Sequence, residues 1–427
     1  MKLIHLQIYF ILSSFLLFVF VLSNKRRAPF AFGYALALNI FPLSFMSYFS
    51  MDIARLASIP LAYIPMMVAG FSLFFVTKLR IRKEYERLLL FCFLFLLYSF
   101  ITTMFLGGFT FRNFAYWFAW GVNFLIFWAA VSFFSSLDIK ISHRVIKYTV
   151  IILVIGCIIG ILRYVSGISL DANFMPVVNK NGTVVFVAMS FPLIFYLYSS
   201  RVMSKTLLIT CVFVIMLNII LIFSRSGLIG CLWGGLLYFF RFSFKDIMIV
   251  IAIASLCVLF VFFGAEQKIE QRLHNTYDTA TYLYEGEEIT SDMQDFNRLN
   301  LIYCSFNIIE NNFLFGTGLG LENYRKAFHK VTNYGIDSKA HNFYLSYFAE
   351  LGLVGFSILM VLLAYVFRSL APMKSECRAF RVSFWVVALM MTMNEYILVP
   401  EVWFYFGMLV GISSFYKNTK KSVAVWD

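Results

Sequence analysis

The sequence predicts an all-α polytopic membrane protein with about 12–13 transmembrane helices and one large extramembrane loop. Three observations carry that prediction. Hydrophobic residues make up 61% of the chain and charged residues 13%, and the mean hydropathy of +0.82 lies far outside the range of soluble domains. Apolar stretches recur at a length, roughly 20 residues, that crosses a hydrocarbon core of about 30 Å. Lys and Arg gather in alternate connections, as expected when basic residues stay on the cytoplasmic side.

The first apolar stretch, 4–23, is followed by Asn24-Lys25-Arg26-Arg27 rather than a small-residue cleavage site, so it reads as the first span and not as a cleaved signal. Further stretches near 30–49, 58–77, 88–106, 114–135, 148–163, 182–199, 206–223, 227–241 and 247–264 complete ten spans within residues 1–264. A hydrophilic segment, 265–340, follows. Residues 341–427 hold three more spans, near 343–367, 380–395 and 400–415, and a tail; Glu395, Pro400 and Glu401 interrupt the last two.

The connections 24–27, 78–87, 138–147, 201–205, 241–246 and 368–381 and the tail from 416 hold 22 of the 35 Lys and Arg but only six acids, Glu84, Glu86, Asp138, Asp246, Glu376 and Asp427. That side carries +16 and the remainder −3, so the net charge of +13 is a topology signal and nucleic-acid binding is not needed to explain it. The amino terminus and 265–340 are expected outside, and the carboxyl terminus inside. Single cysteines introduced at Glu285 and Lys420 test this: an impermeant maleimide added to intact cells is expected to label position 285 only, and labelling at 420 would overturn the orientation. Of seven cysteines only Cys304 lies in the outer loop, so no disulfide framework is expected, and no C-x-x-C or His/Cys cluster suggests a metal site. There is no internal repeat of the kind that marks many transporters.

The outer loop concentrates 11 of the 22 acids in 76 residues. Residues 276–294, with Glu285-Gly286-Glu287-Glu288, read as a mobile acidic segment. From Asp295 onward, apolar residues at Leu299, Ile302, Tyr303, Phe306 and Ile309 have helical spacing, with Asp295 as N-cap, and predict an amphipathic helix lying at the membrane surface. The glycine-rich run Phe315-Gly316-Thr317-Gly318-Leu319-Gly320 then feeds a second short helix ending near Lys330. Its backbone N–H groups could face a phosphate; the plainer reading is a tight turn between two helices.

Among the five histidines, His5, His143, His274 and His329 read as surface or interfacial residues. His341 ends the loop and begins a span, which places it at the outer interface over an apolar floor, as a polar anchor or as a catalytic group. Arg225, in Phe223-Ser224-Arg225-Ser226-Gly227, and Arg298, in the amphipathic helix, sit on the face where positive-inside sorting disfavours them. Guanidinium groups there suit bidentate binding of phosphate; pairing with a loop carboxylate or a lipid phosphate is the alternative.

In order along the chain, the run at 223–227, Asn297-Arg298 heading a helix, 311–320, and Ala340-His341-Asn342-Phe343-Tyr344-Leu345 followed by Glu350-Leu351-Gly352-Leu353-Val354-Gly355 resemble the bacterial O-antigen ligase and O-antigen polymerase family. The resemblance covers about 215–360; the amino-terminal spans resemble the family in number and hydrophobicity alone. It implies a type C glycosyltransferase-like enzyme in the bacterial inner membrane, with its active site facing the periplasm and a glycan on undecaprenyl diphosphate as donor. Arg225 and Arg298 would hold the donor diphosphate, His341 would orient or deprotonate the acceptor hydroxyl, and Asn342, Gly318 and Gly320 would support them. Fixed guanidinium groups stabilise the charge growing on the leaving diphosphate, and an imidazole near pKa 6.5 suits proton transfer. Inversion at C1 is expected, with no metal and no cofactor.

The acceptor separates two activities. A polymerase extends a lipid-linked repeat unit, the reading that Ala349-Glu350-Leu351-Gly352 favours; a ligase delivers the finished glycan to lipid A-core. Membrane lipids and a chain-length regulator are the further partners implied. A lipid-linked glycan flippase or secondary transporter is the alternative from another class; it would place ionisable residues near the bilayer midplane. In an unbroken helix from His341, Glu350 turns to the opposite side and is expected to brace the bundle through an arginine or an amide.

Overall fold

The computed structural model describes residues 3–40, 55–56, 59–60, 63–77, 83–108, 110–169, 171–175, 180–239, 294–331, 339–370 and 378–423. Helices dominate them: α1 Leu3–Leu22, α2 Ala31–Ile40, α3 Ile64–Val76, α4 Glu86–Thr102, α5 Phe111–Phe134, α6 Ile139–Val165, α7 Lys180–Ser199, α8 Lys205–Leu221, α9 Arg225–Phe239, α10 Gln294–Asn311, α11 Leu321–Val331, α12 Phe343–Ser369, α13 Arg378–Met390 and α14 Pro400–Val423. A two-residue antiparallel pair, Arg55–Leu56 with Ile59–Pro60, is the one strand pairing among the described residues. The chain is an all-α polytopic membrane protein. Twelve of the thirteen expected spans overlap a described helix, the second of them over Ala31–Ile40 alone; the tenth, 247–264, and the acidic segment 276–294 up to Gln294 lie outside the described residues.

Five helical segments, Glu86–Gly107, Phe111–Phe134, Ile139–Val165, Gly182–Ser199 and Phe343–Ser369, are long and apolar enough to cross a membrane by themselves, and α1, α2, α3 and α8 are shorter apolar helices. Polar side chains start several of them by taking up amides that the first turn leaves free: Thr110 accepts from the N–H of Asn113, Asp138 from Lys140 and Ser204 from Leu207. Helix α7 packs on α6, α8, α9 and α13, and α5 packs along α14. Small residues set the spacing, as is usual between membrane helices. Gly230 and Gly234 of α9 lie so close to Met390 and Val386 of α13 that a Cβ would meet their side chains. An edge-to-face aromatic cluster of Trp120, Phe124, Phe127, Tyr347 and Trp403 fills the space between α5, α12 and α14. Phe15, Phe75, Phe93 and Leu162 are exposed, the outward apolar surface of a bundle whose solvent is lipid.

The loop helix α10 uses a second face besides the one that its apolar spacing marks. Its buried stripe is Leu301, Cys304, Ser305, Ile308 and Ile309, packed on Tyr324 and Phe328 of α11 and Ala349 of α12, while Tyr303 and Phe306 are exposed. Apolar residues wrap more than one face of this helix: the face marked by the spacing keeps Tyr303 and Phe306 exposed, as a helix lying on a membrane requires, and the other packs on the protein. Asp295 falls one residue inside the helix rather than at its cap. Ser305 Oγ lies 2.6 Å from the Tyr324 hydroxyl, and burial pushes that phenol up to about 12. At the other end of the bundle His143, expected at an interface, has Nε2 2.9 Å from the Tyr196 hydroxyl.

Candidate functional site

The site begins with a break in a helix. Gly352 interrupts α12 with φ 62° and ψ −174°, which strips the usual i→i−4 partners from the carbonyls before it and the amides after it. Bare backbone groups at membrane depth cost several kcal/mol each unless protein satisfies them. The segment after α10 does so: the N–H groups of Thr317 and Gly318 donate to Ala349 O (3.0 Å) and Glu350 O (2.9 Å), and those of Leu353 and Val354 donate to Phe313 O (2.8 Å) and Leu314 O (3.2 Å). The Tyr98 hydroxyl donates to Leu351 O at 2.8 Å and Phe315 O at 3.2 Å, and Leu319 N–H donates to Thr103 Oγ1 at 3.0 Å.

Such close docking of backbone on backbone needs glycine. Gly316, Gly318 and Gly320 have φ of 73°, 88° and 124°, and a Cβ on Gly316 would land on the backbone of Glu350 and Gly352. The glycine run is therefore a buried plug that repairs α12. The Gly318 amide, a candidate phosphate donor, is committed to Glu350 O, and Gly320 turns the chain into α11 against the Asn113 carboxamide.

Directly beside the plug lies a buried ion cluster. Lys339, buried at the end of the loop, places Nζ 2.5 Å from Glu350 Oε1 and 3.4 Å from Glu395 Oε2, and donates to the Tyr116 hydroxyl at 2.7 Å. The ammonium also stands 4.5 Å from the Tyr116 ring centroid and 5.3 Å from that of Tyr347, whose hydroxyls are 3.0 Å apart. Burial pulls the Lys339 ammonium down, but Glu350 and Glu395 outweigh it and hold the group above its ordinary value, so it is protonated at neutral pH. The partner expected for Glu350 was an arginine or an amide; it is Lys339, eleven residues earlier in the same run of sequence.

Two residues after Lys339 the chain surfaces. Ala340 is buried, His341 is exposed with φ 49°, an uncommon left-handed conformation for a non-glycine residue. Asn342 then caps α12 by accepting from Leu345 N–H at 3.1 Å, and Phe343 N–H donates to Met391 O at 2.9 Å. Asn342, expected to support the site, thus has a positional role at the helix start.

Arg225 is the first residue of α9 and is exposed. Phe223, with φ 55°, makes the turn before it. Ser224 Oγ accepts from Gly227 N–H at 3.4 Å and lies 3.1 Å from Ser226 Oγ. A guanidinium at the positive end of a helix dipole is poorly placed for intrahelical electrostatics and well placed for an anion. The last turn of α13 connects the two candidates: Met390 packs on Gly230 of α9, and Met391 O receives the amide of Phe343. Arg298 lies on α10, which packs on α12; its side chain is outside the described residues. All three stand on elements at the loop end of the bundle.

Residues 209–360 match the family described as O-antigen ligase. This segment is similar to that family. It runs from α8 into α12 and includes Arg225, Arg298, the glycine plug, Lys339, His341 and Glu350, leaving Glu395 on a later element. In the matched segment that similarity points to a membrane glycosyltransferase-like enzyme. No curated protein matches the chain significantly. Sequence reasoning missed Lys339, Glu395 and Tyr116. The available signal was the rarity of charge itself: a carboxylate expected inside a span calls for a cation, and Lys339 is the nearest in sequence.

Proposed function

We propose that the protein transfers a glycan from undecaprenyl diphosphate to the hydroxyl of a lipid-linked repeat unit, as a surface-polysaccharide polymerase of the bacterial inner membrane working at its periplasmic face. The observation that carries this reading is the exposed, left-handed His341 at the head of α12, on the same end of the bundle as Arg225 at the first position of α9. In the proposed reaction the acceptor hydroxyl attacks C1 from the face opposite the diphosphate and gives its proton to the His341 imidazole. The C1–O bond breaks with inversion, and the departing undecaprenyl diphosphate takes the electron pair while Arg225 and Arg298 offset its charge. Two arginines are suited to this because a planar fork can meet two phosphate oxygens at once.

That geometry makes charge alone insufficient. Arg225→Lys is expected to lower transfer by roughly 10-fold or more, and Arg298→Ala to abolish polymer extension, with membrane insertion intact in both. Wild-type long-chain glycan in cells carrying Arg298→Ala would remove that residue from the site.

The ligase reading is favoured by the similarity of 209–360 to the O-antigen ligase family; it uses the same donor and residues, with lipid A-core as acceptor. The lipopolysaccharide profile of a deletion strain separates the two: core bearing one repeat unit indicates a polymerase, and bare core with accumulated lipid-linked polymer indicates a ligase. A flippase or secondary transporter is less well supported. Among the described residues, the buried Arg163, Lys339 and Glu401 and the partly buried Glu395 stand at or beyond helix ends, and Glu350 is two turns into α12. Membrane lipids and a chain-length regulator complete the proposed partners.

A further inference from the structure

We infer that Lys339 is a positioning residue for His341: its buried ammonium clamps the end of the loop to three separate elements and so fixes where the imidazole stands. This rests on the reading of His341 as the proton acceptor. The three attachments are Tyr116 on α5, Glu350 on α12 and Glu395 between α13 and α14, with Nζ at 2.7, 2.5 and 3.4 Å from their oxygens. Downstream the chain is held again at once, by the Asn342 cap and the Phe343 amide on Met391 O. His341 is therefore the single exposed residue between two fixed points, and its left-handed backbone is what a chain pulled inward on both sides requires. Such a conformation costs of order 1–3 kcal/mol and persists only where its surroundings over-determine it.

Stability alone does not explain the clamp. A buried ion pair is often no better than apolar side chains of similar volume, and here two carboxylates face one ammonium. Placement is the better account, because the misplacement of a reacting group by about 1 Å costs up to 10²-fold in rate.

The two roles separate in a double variant. Lys339→Met with Glu350→Gln removes the clamp without leaving a buried charge bare, since Glu395 is partly exposed. The purified full chain would be assayed with the undecaprenyl diphosphate-linked repeat unit extracted from the deletion strain, alongside His341→Ala. The expected result is a melting temperature near that of the wild type, a KM for donor within about 3-fold, and a kcat lowered roughly 10- to 100-fold. Wild-type kcat in the double variant beside an inactive His341→Ala would overturn the clamp and leave the catalytic reading standing; full activity in His341→Ala would remove that reading instead. Should the double variant not accumulate, Tyr116→Phe deletes a single hydroxyl of the clamp. A kcat lowered about 3-fold at unchanged KM and melting temperature is then expected, and an unchanged kcat would overturn the proposal.

Discussion

His341→Ala is expected to lower glycan transfer at least ~100-fold, the range that removal of a general acid–base residue typically produces, while leaving expression and membrane insertion as in the wild type. The separation is expected because the side chain is exposed and the surrounding backbone is held by other groups: Lys339 before it, Asn342 and Phe343 after it. The wild-type histidine already carries the strain of the left-handed backbone, so alanine adds little to it. The readout is long-chain glycan in a complemented deletion strain, with the amount of protein in the membrane measured in parallel. Undiminished polymer at normal protein levels would exclude His341 from the chemistry.

Gly352→Val is expected to act through the fold, costing more than about 4 kcal/mol and depleting folded protein before any catalytic step is reached. Three losses combine. A β-branched residue at φ 62° is a genuine backbone outlier. Any Cβ at 352 would fall on the backbone of Leu314 and Gly316, which cannot give way as a side-chain tip could. The displaced plug would then strand the paired groups of Thr317, Gly318, Leu353 and Val354, each costing about 1–3 kcal/mol when buried without a partner. Gly167→Ala is the control: its φ is 73°, but nothing lies within 4 Å of a Cβ there. A shift of about 1 kcal/mol is expected for it, read as the thermal unfolding midpoint in detergent. A small shift at Gly352 comparable to that at Gly167 would mean that the plug is not structural.

The candidate residues were legible in the primary structure. Arg225, Arg298 and His341 stood out because basic residues and a histidine on the outer face of a greasy chain need a reason to be there. The glycine run was visible as a turn, but its partner was not, because the complementary defect, Gly352, lies some 35 residues later and reads in isolation as an ordinary helical glycine. Glu350 showed the same limit from the other direction. Helical rotation turned it away from His341 on the premise of an unbroken helix but did not supply its partner, Lys339 at the loop's end, which also meets Glu395 in the link after α13 and Tyr116 on α5. The second face of α10, which packs on α11 and α12, was not marked, because apolar residues on more than one face give periodicity nothing to choose between.

The sequence by itself determined the class and the places of the apolar helices that the described residues contain, and it offered a short menu of candidate residues able to handle a phosphate and a proton. These follow from solvent matching: a hydrocarbon core demands runs of about 20 apolar residues with every backbone group paired inside the helix, and that demand is local in the chain. Only the tertiary structure decided how α12 survives a break, which cation neutralises Glu350, and why His341 faces outward. Those depend on groups meeting from α4, α5, α10, α12 and the link after α13, and long-range satisfaction of buried polar groups leaves no periodic trace along the chain.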